Sequence, residues 1–107
     1  MAITTHVIDT ANGRPASGVP VKLDIFEDDD WILLAEGATD AEGRLKNLTD
    51  DVDLRVGIYR LTFDSSSYFR AGFFLEVSIV FEVSDPAQHY HVPLLLSPFG
   101  YSTYRGS

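Results

Sequence analysis

The stretch Val19-Pro-Val-Lys-Leu-Asp-Ile25 decides the fold. Val19, Val21, Leu23 and Ile25 fall on one face and Lys22 and Asp24 on the other, the period of a half-buried strand. Glu76-Val-Ser-Ile-Val-Phe-Glu-Val83 repeats the pattern with Val77, Ile79, Phe81 and Val83. Working outward, further strands are expected near Thr4–Asp9, Trp31–Ala38, Gly57–Phe63, His89–Leu96 and Gly100–Arg105. Turn signals separate them at Asn12-Gly13, Asp40-Ala-Glu-Gly43 and Ser97-Pro98. One segment breaks the period: Asp64-Ser-Ser-Ser-Tyr-Phe-Arg-Ala71 opens on a good N-cap and stops before Gly72, which predicts a short helix over Ser65–Ala71. Many short strands and one helix predict an all-β sandwich.

The 107 residues suit a single domain, 1–107, and the 45% hydrophobic content suits a folded core rather than a disordered chain. Eight basic side chains against 16 acidic ones give a net charge of −8, which argues against nucleic acid or an anionic membrane as partner. Without cysteine there is no disulfide, Fe–S cluster or thiolate zinc site. No apolar run approaches a membrane span. The opening Met1-Ala-Ile-Thr-Thr-His6 lacks the basic and apolar regions of a signal peptide, so a cytoplasmic protein is expected, or a periplasmic one if an export signal has been removed. The acids crowd into Asp24–Asp53, whereas Pro86–Ser107 has none and only Arg105 as a base. Such an apolar stretch on an acidic domain is suited to burial in the core or against another subunit.

The candidates for chemistry are few. His89 and His91 lie two apart on a strand and share a face, opposite the apolar row Tyr90, Val92, Leu94 and Leu96. They belong on the outer face, either as solvated polar residues or, with His6, as a zinc site with an open position. Arg44, after Gly43 in a turn, could clamp a carbonyl or carboxylate with its planar fork, or simply balance Asp40 and Glu42. Asp28-Asp29-Asp30 lacks the spacing of a calcium loop and reads as a solvated turn. Asn47-Leu-Thr49 is a glycosylation sequon without a signal peptide. No nucleophile elbow or glycine-rich phosphate cradle is present.

The run His89-Tyr-His-Val-Pro-Leu-Leu-Leu-Ser-Pro-Phe-Gly-Tyr-Ser-Thr-Tyr-Arg-Gly-Ser107 resembles the signature of 5-hydroxyisourate hydrolase, the enzyme branch of the transthyretin family. Its tetrapeptide Tyr104-Arg105-Gly106-Ser107 is the mark of that branch. Thr4-Thr-His-Val-Ile-Asp-Thr-Ala-Asn-Gly-Arg-Pro-Ala16, Asp40-Ala-Glu-Gly-Arg44, and Gly57-Ile-Tyr59 leading to Tyr68-Phe69 match further blocks. The resemblance implies a transthyretin-like (prealbumin-like) sandwich of two antiparallel sheets, about four strands each, with one short helix. It implies a homotetramer built as a dimer of dimers, with active sites where the dimers meet. The hormone-carrying branch has lysine, glutamate and threonine where this chain has His6, Arg44 and His91, so the chain sides with the enzyme. Leu75 departs from the family's usual proline.

By the same resemblance, the substrate is a small purine-derived molecule, 5-hydroxyisourate, and no cofactor or metal is needed. Water attacks a ring amide carbonyl, giving 2-oxo-4-hydroxy-4-carboxy-5-ureidoimidazoline. His6 and His91 would hold and deprotonate the water, imidazole being basic near neutral pH. Arg44 would grip the substrate's carbonyls and stabilise developing negative charge. Tyr104 and Ser107 would bind substrate, and the hydroxyl or α-carboxylate of Ser107 could orient a histidine.

Overall fold

The computed structural model describes residues 2–107. Nine strands follow in order: β1 (Ala2–Asp9), β2 (Arg14–Pro15), β3 (Pro20–Glu27), β4 (Asp30–Ala38), β5 (Arg44–Leu45), β6 (Gly57–Phe63), β7 (Val77–Val83), β8 (His89–Ser97) and β9 (Gly100–Thr103). One sheet runs β2-β1-β8-β9, with β5 on the same side of β1 as β2; the other runs β4-β3-β6-β7. The expected sandwich of two sheets is therefore present. The second sheet is wholly antiparallel, but the first needs an amendment: β1 runs parallel to β8. A parallel pair needs a long crossover, and here the chain builds the whole second sheet between β1 and β8.

The alternation seen in sequence is realised in burial. Val21, Leu23 and Ile25 of β3 and Tyr59, Leu61 and Phe63 of β6 face Ile3 and Val7 of β1 and Tyr90, Val92, Leu94 and Leu96 of β8 across a closed core. The β3–β4 hairpin turns at Asp28 and Asp29, both with left-handed backbones (φ 52° and 62°). That is the tight turn whose twist suits a hairpin, and aspartate tolerates it better than most residues. The acidic triplet is thus a turn.

The predicted helix shrinks to one 3₁₀ turn, Ser65–Ser67. Asp64 caps it, accepting from the Ser67 N–H, yet three serines in a row favour the helix poorly. Tyr68 and Phe69 then turn toward the core, Tyr68 donating its hydroxyl to the buried Asp9 at 2.7 Å. At Leu75 the backbone is held through its carbonyl, which accepts from the Ser66 N–H. A proline there would keep the same bond.

Candidate active site

The site is a product of strand register. In the β1–β5 pair His6 stands opposite Arg44, and in the β1–β8 pair Thr4 stands opposite His91. Directly opposed residues project from one face. So Thr4, His6, Arg44, His89 and His91 come together on the outer face of the first sheet, as the alternation of β8 required.

Each side chain is held in a defined way. The Asp40 side chain accepts the N–H groups of Glu42 and Arg44 at 2.9 and 3.0 Å, and the turn closes through the Gly43 N–H to the Asp40 carbonyl. The Arg44 N–H, more than any other contact, lowers the Asp40 carboxyl below its ordinary value, with burial opposing. Gly43 has φ +76°, and a Cβ there would collide with the Val7 carbonyl, so only glycine lets this turn dock on β1. Docking brings the Glu42 carbonyl to 2.9 Å from His6 Nε2. A carbonyl only accepts, so Nε2 carries the proton and Nδ1 holds the lone pair in neutral His6.

The Arg44 guanidinium is exposed and forms no close ion pair among the described residues, although its charge still helps lower the Asp40 carboxyl, so it balances Asp40 at a distance while its fork stays open. His91 is half-buried. Burial first, then the positive fields of His89, His6 and Arg44, hold it below the ordinary imidazole value. Its Nδ1 lies 2.8 Å from Thr4 Oγ1, and His89 Nε2 lies 2.7 Å from the same oxygen. With these nitrogens turned to Thr4 and His6 Nε2 turned to Glu42, the zinc reading gains no support. Among the described residues no cluster of histidines and carboxylates is placed around a common point.

The tail reaches the site through Gly106, which pairs with His91 and donates its N–H to the His91 carbonyl at 2.8 Å. A Cβ on Gly106 would lie 2.5 Å from His91 Cδ2, so the glycine is what allows the tail to lie against the ring. Arg105 fixes the tail from behind, stacked 4.8 Å over the Tyr90 ring and bonded to Gln88. Tyr104 and Ser107 are exposed on either side of this anchor. Cavities touch the site only in parts: one of about 240 Å³ includes His91 and Tyr104, another of about 370 Å³ includes Arg44, and His6 lines neither.

Thr4 and the Glu42 carbonyl are the groups that sequence reasoning missed. Thr4 shares the strand parity of His6, but only the pairing of β1 with β8 shows that it meets His89 and His91. A backbone carbonyl leaves no signature in sequence.

Comparison with known proteins bears on these residues. A family model described as the HIUase/Transthyretin family matches residues 3–106. A 5-hydroxyisourate hydrolase of Caulobacter vibrioides is 46% identical over 98% of this chain and 97% of its own length. Among solved structures, that of Klebsiella pneumoniae 5-hydroxyisourate hydrolase superposes with a TM-score of 0.84 at 35% identity, covering 98% of each chain. Transthyretin from Sparus aurata superposes with a TM-score of 0.90 at 32% identity, covering 97% of this chain and 95% of its own.

Proposed function

Since this chain belongs to the HIUase/transthyretin family, we infer that its reaction is the hydrolysis of 5-hydroxyisourate to 2-oxo-4-hydroxy-4-carboxy-5-ureidoimidazoline, a step of urate degradation. The observation that carries this reading is the register that sets His6 opposite Arg44 and Thr4 opposite His91 on one face. The backbone alone superposes on a transthyretin and on a hydrolase alike, so the choice rests on the side chains.

In the proposed mechanism a water donates one hydrogen bond to His6 Nδ1 and loses its other proton to His91 Nε2. The hydroxide adds to a ring amide carbonyl. Arg44, whose fork is held by no close ion pair among the described residues, stabilises the oxyanion as charge develops. Tyr104 and Ser107 hold the substrate from the tail, and Ser107 orients the neighbouring imidazole. When the C–N bond breaks, His91 Nε2 returns the proton to the leaving nitrogen. His91 suits the exchange because its surroundings keep it neutral and ready to accept.

The working cleft belongs, on this reading, between the dimers of a homotetramer. The partial cavities around His91 and Arg44 support it. So do the unpaired edges of β7 and β9 and the exposed apolar residues Phe73, Leu75 and Phe99, the last 75% exposed. Weakening the dimer–dimer contact should therefore abolish turnover with His6, Arg44 and His91 intact, and an active isolated dimer would overturn this part. For the reaction itself, urate oxidase can generate 5-hydroxyisourate in situ while its ultraviolet decay is followed. The protein should accelerate the decay over the spontaneous rate, and His6→Ala and His91→Ala should each remove the acceleration. A folded protein that leaves the spontaneous rate unchanged would refute the reading.

A further inference from the structure

We propose that Thr4 is a positioning residue that fixes the tautomer of His91 and relays its proton to His89. This rests on the hydrolase reading above and assigns a task to two residues that the mechanism leaves idle. Thr4 is buried, 6% exposed, and its Oγ1 is within hydrogen-bond reach of both rings, 2.7 Å from His89 Nε2 and 2.8 Å from His91 Nδ1. The ring centroids are 6.3 Å apart and tilted by 73°, and the hydroxyl bridges them.

A hydroxyl has one proton to give. Both rings therefore cannot accept from Thr4 at once, and the proton positions on the two histidines are coupled. When Thr4 donates to His89 Nε2, His91 must donate its Nδ1–H to Thr4, which leaves Nε2 of His91 as a base. When Thr4 donates to His91 Nδ1, His91 carries its proton on Nε2 and can only act as an acid.

The reaction needs both states in turn. As water's O–H bond breaks, His91 Nε2 gains a proton. The Nδ1–H of His91 passes to Thr4 Oγ1 while the Thr4 hydroxyl proton passes to His89 Nε2. One proton has entered the chain and one positive charge has moved from His91 to His89. When the leaving nitrogen draws the proton from His91 Nε2, the three transfers reverse and the starting tautomer returns. The direction of charge movement follows from position. His91 is half-buried and faces Thr4 and His6 of β1 and Arg44 of β5, with Tyr104 and Arg105 in the tail paired to it, whereas His89 is exposed to solvent. The low proton affinity of His91 agrees with a charge that does not stay there.

The coupling can be read first in the resting protein, without substrate. Nitrogen-15 NMR of the wild-type chain should show neutral His91 protonated at Nδ1, and a His91 protonated at Nε2 would overturn the proposal. Kinetics follow with Thr4→Val, which keeps the shape and removes the hydroxyl, and His89→Ala, which frees the hydroxyl to donate to His91. Each should lower kcat by roughly 10- to 100-fold with KM unchanged, a loss felt only in the transition state. Thr4→Ser should recover most of the loss, and the Thr4→Val/His89→Ala pair should be no worse than either alone. Wild-type kcat in both single variants, or losses that multiply, would refute the relay while leaving the hydrolase reading standing. A wild-type chain without turnover would remove the hydrolase reading itself, and the NMR tautomer would still test the Thr4 coupling.

Discussion

The two sheets share one core and treat their outer faces in opposite ways. On the β4-β3-β6-β7 sheet Arg60 is satisfied within the fold, bonded to its cross-strand partner Asp24 at 3.1 Å and stacked 4.4 Å over Trp31. On the β2-β1-β8-β9 sheet Arg44 forms no close ion pair among the described residues, only a longer-range attraction to Asp40, and the charges that shift His91 are all positive. A charge neutralised by its neighbours helps hold a sheet together. A guanidinium without a close ion pair, beside imidazoles aimed by single hydrogen bonds, is available to a substrate. On the proposed reading the first sheet carries the site and the second is its scaffold.

The sharpest way to break that contrast is to remove equivalent charges from the two faces. Arg44→Ala should lower kcat/KM by about 10²–10³-fold, as loss of an oxyanion-stabilising group does. Arg60→Ala should leave turnover alone and cost about 1–3 kcal/mol in stability, measured by urea titration, because it strands the buried Asp24 carboxylate. Next in size, Leu61→Ala in the shared core should cost about 2–5 kcal/mol with activity per folded molecule retained. Gly106→Ala should do the reverse: its Cβ must displace the His91 ring, a misplacement worth up to about 10²-fold in kcat, while Tm barely changes. A Gly106→Ala variant that loses stability and keeps its rate would show the tail to be scaffold.

The smallest effect is on pH. His91 must be neutral to act, and its folded value is depressed, so the acid limb of kcat/KM should fall below the ordinary imidazole value of about 6.5. Arg44→Gln, which removes one positive field, should move that limb upward, measured on the residual activity. The linked stability has the matching sign. Below about pH 6.5 the unfolded chain takes up the proton first, so the contribution of His91 is present above that pH and lost as pH falls. His91→Gln should flatten this part of the profile of Tm against pH.

Much of this was legible in sequence because burial on one face writes a period of two. β6 falls on Gly57–Phe63 as expected, and β3, β4, β7 and β8 agree within one or two residues. The two-residue strands β2 and β5 were invisible, since two residues carry no period. Yet β5 is what sets Arg44 opposite His6. The helix expected over Ser65–Ala71 stops after Ser67 because a good cap at Asp64 says where a helix can start, not that tertiary contacts of Tyr68 and Phe69 will let it continue. His6, His91 and Arg44 stand out by residue type and spacing, the family resemblance supplies their roles and adds the tail, and the structure brings His6, Arg44, His91 and Gly106 together. Thr4 was not singled out because its significance lies in a pairing between opposite ends of the chain.

The parallel seam between β1 and β8 also bears on how the protein acquires its activity. Thr4 and His91 are 87 residues apart in the chain and meet only when that seam closes. Contacts so distant in sequence carry a large loop-closure cost and form late. A partly folded chain, however complete its second sheet, would have His6 and Arg44 without His91. In refolding, regain of turnover should lag behind regain of strand signal, and the part of that lag that does not change with protein concentration is a clock for closing the seam rather than for subunit assembly.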